Sequence, residues 1–251
     1  MNRFSLTIQW RSIAAEAIAT FLFVFIGLGA IGALRVAGSG EVDGDFILIV
    51  GLAHGLGIML GVATVAHISG AHLNPAVTVA MWITGKIGVV QGAAYVVAQV
   101  VGAAAAAALI LGILGIDDIG VHAVNTTALE SNFEALLLEG VLSFILVFTI
   151  FAVATDKRGP ATIAPLAIGL VVAADHFVAI PLTGASMNPA RSFGPALIGG
   201  EWADHWIYWI GPIVGGGLGA ATYHSGIRPG GEEADRGRMV VQQIRLNGNP
   251  S

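Results

Sequence analysis

Thr183-Gly184-Ala185-Ser186-Met187-Asn188-Pro189-Ala190-Arg191-Ser192 follows a long apolar run and leads into Phe193-Gly194-Pro195-Ala196-Leu197. Asn188 is a favourable helix N-cap, and Pro189 at the first helical position gives up only an N–H that would lack an intrahelical partner. The spacing predicts a helix that starts here and is closed by Gly199-Gly200-Glu201. At ~1.5 Å per residue, about ten residues cross about half of a ~30 Å hydrocarbon core. The same phrase stands earlier as Ser69-Gly70-Ala71-His72-Leu73-Asn74-Pro75-Ala76-Val77, opening a short segment that ends near Gly85. Two half-length helices, each capped by Asn-Pro-Ala, can stack end to end into one span. The rest of the chain reads as the cage that holds them.

The 251 residues are 55% hydrophobic and 11% charged, with a mean hydropathy of +0.81. Soluble domains carry roughly 25% charged residues, so this is a membrane composition. With no cysteine there is no disulfide framework, thiolate metal site or cysteine nucleophile. Arg3 and Arg11 precede the apolar run Ile13–Ala33. That run is too long for the core of a signal peptide and lacks a small-residue cleavage site in a polar flank, so it reads as the first transmembrane helix.

Six apolar segments, about 12–34, 46–66, 87–114, 133–154, 161–181 and 204–224, each approach the ~20 residues needed to span. The fold expected is an all-α membrane protein of six transmembrane helices plus two re-entrant half-helices. Each half holds three spans, an odd number, so the second copy lies upside down relative to the first. Glu16 and Glu139, each early in the first helix of its half, echo one another. Arg3, Arg11, Lys86, Lys157, Arg158 and the arginines after Ile227 fall on one side of the membrane, opposite Glu41, Asp43, Asp45, Asp117, Asp118, Glu130, Glu201 and Asp204. The positive side is cytoplasmic, which puts both termini there.

Irregular backbone at membrane depth is tolerated only where it is buried in protein or lines a water-filled cavity. The carbonyls of the loops 66–73 and 182–187 therefore either bond to protein or line a pore; re-entrant filler is the plain alternative. Asn74 and Asn188 are caps whose amide NH₂ can face that cavity. Two facing half-helix N-termini would gather positive charge at the centre, which suits a neutral dipolar molecule and repels cations. Arg191 shares a helical face with Asn188, whereas the equivalent position in the first half is Val77. Among the intramembrane ionisable groups, Glu16 and Glu139 read as buried acceptors for loop N–H groups. His54 and His176 read either as satisfied core histidines or as pore groups. Asp175 adjoins His176, either orienting that ring or making a lateral contact.

Enzyme readings find no support. His67 and His72 are not at zinc-helix spacing, and neither a phosphate loop nor a nucleophile elbow occurs. The runs rich in Gly and Ala at 102–108 and 211–220 suit close helix packing in membranes.

HISGAHLNPAVT (67–78) and TGASMNPARSFGPAL (183–197) resemble the two signature loops of the aquaporins, or major intrinsic proteins. The resemblance runs over about 11–225 and includes both glutamates. It implies a passive water channel that excludes protons and ions, with no cofactor, no metal, no nucleic-acid partner and no enzymatic activity. It also implies a homotetramer in the lipid bilayer. The channel domain would be 12–226, with repeats over about 12–114 and 133–224, a cytoplasmic N-terminus 1–11 and a disordered cytoplasmic tail 227–251. By the same resemblance, Asn74, Pro75, Ala76, Asn188, Pro189 and Ala190 form the central motif. The carbonyls of Gly70, Ala71, His72, Gly184, Ala185 and Ser186 form an acceptor ladder, and the constriction falls on His54, His176, Ala185 and Arg191. Ser192, Ala196, Tyr208 and Trp209 match water channels; glycerol facilitators typically carry Asp where Ser192 stands.

His54 replaces the usual Phe and is similar to the tonoplast-intrinsic branch, which carries an aliphatic residue where this chain has His176. The loop 115–131 resembles the loop of ammonia-conducting relatives, with His122 expected to reach Arg191 and draw it aside. Ammonia passage beside water is thus a second expectation, and a non-conducting adhesion or scaffold protein is the rival from another class. The acidic loops and the absence of a plant-type N-terminus point to a bacterial inner (plasma) membrane.

Overall fold

The apolar segments become helices whose exposed faces are also apolar, as in a bundle solvated by lipid. A computed structural model describes residues 8–115 and 128–227. His122, Asp117, Asp118 and the residues after Ile227 lie outside that range. The helices are α1 (Trp10–Val36), α2 (Gly44–Ser69), the short α3 (Pro75–Ile83), α4 (Val89–Leu114), α5 (Asn132–Ile150), α6 (Ala164–Thr183), the short α7 (Pro189–Gly199) and α8 (Ile207–Ala221). A π-helical turn, Phe151–Thr155, extends α5, and a 3₁₀ turn, Ala161–Ile163, leads into α6. The segments 10–36, 44–69, 89–114, 132–155 and 161–183 are each long and apolar enough to cross a membrane.

The last span differs from the segment expected at 204–224. Asp204 takes a left-handed backbone (φ 53°) and its Oδ1 accepts from Asn132 Nδ2 at 2.6 Å, so a turn occupies 203–206 and α8 begins at Ile207. Its 15 α-helical residues are lengthened by a second π-helical turn, Thr222–Ile227. At the same end of the bundle, Tyr223 OH donates to Asp156 Oδ2 (3.2 Å), and Arg158 forms an ion pair with Asp156. The Arg158 hydrogen bonds hold the Asp156 carboxyl well below the usual carboxylate range.

The two halves pack alike. α1 lies against α2 and α4, α5 against α6 and α8, and α2 against α6 across the halves. Each half-helix crosses over, α3 packing on α8 and α7 on α4. Glycine permits the closest crossings. A Cβ on Gly102 would come within 2.3 Å of the Ala17 carbonyl oxygen, and one on Gly215 within 1.9 Å of that of Gly140. Without a hydrophobic drive between helices in lipid, such small-residue contacts carry the association.

Candidate functional site

The loops from α2 to α3 and from α6 to α7 meet at the centre of the bundle. Both are left-handed at matching places: Gly70 (φ 89°), Ala71 (50°) and Leu73 (53°), then Gly184 (82°), Ala185 (57°) and Met187 (54°). Such backbone costs a non-glycine residue roughly 1–2 kcal/mol, so each loop needs an external template. The buried glutamates supply it. Glu16 Oε1 accepts from the Ser69 hydroxyl (2.6 Å) and the His72 N–H (2.9 Å), and Oε2 from the Leu73 N–H (2.7 Å). Glu139 Oε1 accepts from the Thr183 hydroxyl (2.7 Å) and the Ser186 N–H (2.9 Å), and Oε2 from the Met187 N–H (2.8 Å). The tyrosines repeat as well, Tyr95 OH donating to the Ser69 carbonyl (2.9 Å) and Tyr208 OH to that of Thr183 (3.0 Å).

The halves diverge at Gln99. Its Nε2 bridges Glu16 Oε2 (2.8 Å) and Thr78 Oγ1 (3.0 Å), and His72 Nδ1 lies 3.1 Å from the same hydroxyl. The sequence reading passes over Ser69, Thr78, Gln99 and Thr183. A hydroxyl before each Gly-Ala is the available signal for Ser69 and Thr183; Thr78 closes the first signature loop, and Gln99 lies far from both motifs in sequence.

Asn74 and Asn188 cap the half-helices as expected. Asn74 Oδ1 accepts from the Ala76 N–H (2.8 Å), and Asn188 Oδ1 from those of Ala190 (3.0 Å) and Arg191 (3.3 Å). Their amide groups also lock the halves together, Asn74 Nδ2 donating to the Met187 carbonyl and Asn188 Nδ2 to that of Leu73, both at 2.8 Å. One N–H of each amide is used this way, and among the described residues no acceptor takes the second. Pro75, Ala76, Pro189 and Ala190 form the buried first turns. Among the described residues no donor reaches the carbonyls of Gly70, Ala71, His72, Gly184, Ala185 or Ser186. Ser186 and Ser192 share a short hydroxyl–hydroxyl bond beneath the second loop.

On one side of this centre a cavity of about 510 Å³ is lined by Asn74, His67 and Lys86 and by apolar residues that include Ile58, Val62 and Val172. His54, His176 and Arg191 come together elsewhere in the bundle. His54 Nδ1 lies 2.8 Å from the Val50 carbonyl, and His176 Nδ1 2.8 Å from that of Val172. A carbonyl only accepts, so Nδ1 carries the proton in each ring and Nε2 is an acceptor. Arg191 Nε (3.2 Å) and Nη2 (3.0 Å) both donate to His54 Nε2. The imidazoles stack with centroids 4.3 Å apart, and His176 Nε2 is buried with no partner among the described residues. Ala185 is fully buried, its N–H bonded to Thr183 Oγ1 (3.3 Å).

The His176 ring is oriented by its own helix backbone, through Nδ1 and the Val172 carbonyl, and no hydrogen bond joins it to Asp175 among the described residues. Asp175 Oδ2 is buried without a partner among the described residues. Arg191 is held by His54; the expected contact with His122 falls outside the described residues.

The family model "Major intrinsic protein" matches residues 3–223. Aquaporin TIP4-4 of Zea mays is 44% identical over 215 residues, covering 85% of each chain. Probable aquaporin TIP3-2 of Arabidopsis thaliana is 44% identical over 228 residues, covering 87% of this chain and 84% of its own. The X-ray structure of the aquaglyceroporin from Plasmodium falciparum shares the fold, with a TM-score of 0.78 at 23% identity over 88% of this chain and 97% of that one. Both sequence relatives are plant proteins, which removes support for a bacterial inner membrane; an integral membrane protein is what stands. With both signature loops, their glutamate templates and the family match in agreement, the chain belongs to the major intrinsic proteins, a family of transmembrane channels and not of enzymes.

Proposed function

We propose that this chain is a passive water channel, with Asn74 and Asn188 at mid-pore and His54, His176, Ala185 and Arg191 at its constriction. The observation that carries the reading is the pair of cross-braced Asn caps between two runs of carbonyls; among the described residues neither these carbonyls nor the second N–H of each amide has a partner. Water can donate to the carbonyls and accept from the amides. A proton wire is broken where both amides donate, and the half-helix dipoles oppose cations. The distribution of Lys and Arg supports cytoplasmic termini, and the family supports a homotetramer. In proteoliposomes under osmotic shock, vesicles carrying the protein should shrink at least ~10-fold faster than empty ones. Equal rates would leave the adhesion or scaffold reading in possession.

Ammonia passage beside water is favoured by one observation, the anchoring of Arg191 on His54, and opposed by the ring of His176. Under an ammonium gradient, vesicles with an internal pH dye should alkalinise faster than empty ones if ammonia passes. Rates matching empty vesicles, alongside fast water flow, end that reading.

Mercurials need a thiol at the constriction, and the chain has none. Water flow should therefore be insensitive to mercurials and become sensitive in Ala185→Cys, which keeps a Cβ on the same left-handed backbone. Thiol-reversible block of the unsubstituted protein would contradict this placement of Ala185.

A further inference from the structure

We propose that Gly27 of α1 is a positioning residue that sets how far the His54 ring stands into the constriction; this rests on the water-channel reading. Four contacts already hold the ring. Nδ1 is bonded to the Val50 carbonyl (2.8 Å), one face stacks on His176 (4.3 Å), Phe23 meets it edge-on (5.9 Å), and Nε2 is bonded to Arg191. α1 closes on the same ring at Gly27. A Cβ there would lie 2.4 Å from His54 Nε2, 2.6 Å from Cδ2 and 2.7 Å from Cε1, against ordinary contacts of about 3.5–4.0 Å.

A methyl group at 27 therefore cannot coexist with the ring where it stands. The Val50 bond stops the ring from swinging back along α2, so the displacement of about an ångström is directed at His176 and Arg191. The atom pressed hardest is Nε2, the acceptor that holds the guanidinium. One substitution thus drives the ring towards the opening and weakens the Arg191 anchor together.

Gly27 differs in kind from the glycines at helix crossings. The nearest atoms facing Gly102 and Gly215 are backbone of the neighbouring helix, whereas those facing Gly27 all belong to one side chain, His54. A purely structural glycine would not be relieved by trimming that side chain. Gly29, on the same helix, provides a control, because a Cβ there would meet only Ile110 Cδ1 at 3.5 Å.

The test compares Gly27→Ala, Gly29→Ala, His54→Ala and the double variant Gly27→Ala/His54→Ala with the unsubstituted protein, for water flow, glycerol flow and thermal unfolding. Gly29→Ala should behave as the unsubstituted protein. Gly27→Ala should lose water flow by ~10-fold or more at equal insertion, and the double variant should regain the flow of His54→Ala. If Gly27→Ala fails to assemble and the double variant assembles, the same contact is assigned. Gly27→Ala conducting normally, or a double variant as impaired as Gly27→Ala in flow or assembly, overturns the proposal. Absence of water flow in the unsubstituted protein would instead sink the channel reading. The Gly27–His54 contact would still be read from unfolding, as a lowered midpoint in Gly27→Ala that the His54→Ala background cancels.

Discussion

Glu16→Ala is expected to abolish the folded protein, with the yield of monodisperse material falling ~10-fold or more. Four donors converge on this carboxylate: the Ser69 hydroxyl, the His72 and Leu73 N–H groups and Gln99 Nε2. Each, left buried and unpaired, costs about 1–3 kcal/mol, and a domain has only about 5–15 kcal/mol to lose. The left-handed residues Ala71 and Leu73 would lose their template at the same time. Glu16→Gln should also be impaired, because an NH₂ replaces one acceptor and faces donors. Glu139→Ala removes three such bonds and should be nearly as severe. Size-exclusion profiles in detergent decide it. Normal assembly and water flow in Glu16→Ala would show that the loops hold their shape unaided.

Arg191→Val is expected to leave assembly intact and change what passes, with glycerol flow rising ~10-fold or more and a proton leak appearing. Arg191 is only 2% exposed, and in so dry a setting its charge acts on a permeant with little screening. Removing it also releases His54 Nε2, turning two N–H donors into space for a larger solute. Valine is tolerable there because the first half places Val77, itself buried, at the matching position. Glycerol swelling assays and an internal pH dye measure both effects. Unchanged selectivity in an assembled Arg191→Val variant would move the arginine out of the pore.

Much of the architecture could be read from local signals. Asn-Pro at 74–75 and 188–189 fixes two helix starts through capping and the geometry of proline, and both half-helices stand where those rules put them. Apolar length gave the spans, since a bilayer demands about 20 residues of them. The odd number of spans in each half gave the inverted repeat. Glu16 and Glu139 were legible as loop acceptors because a carboxylate in an apolar helix has few other uses.

What stayed hidden depends on contacts between residues far apart in the chain. Gln99 and Thr78 look like ordinary polar residues until the packing of α4 brings Gln99 onto Glu16. The crossing of each half-helix onto the long helix of the other half is a matter of shape, set where glycines let backbones touch. The His54–Arg191 contact joins residues 137 positions apart, which no local pattern announces. Packing brings the His54 ring to Arg191, presenting Nε2 because the Val50 carbonyl has claimed Nδ1. Periodicity and capping act within a few residues, so the sequence alone determines the helices and their ends. Which side chains face one another across the bundle is decided by packing.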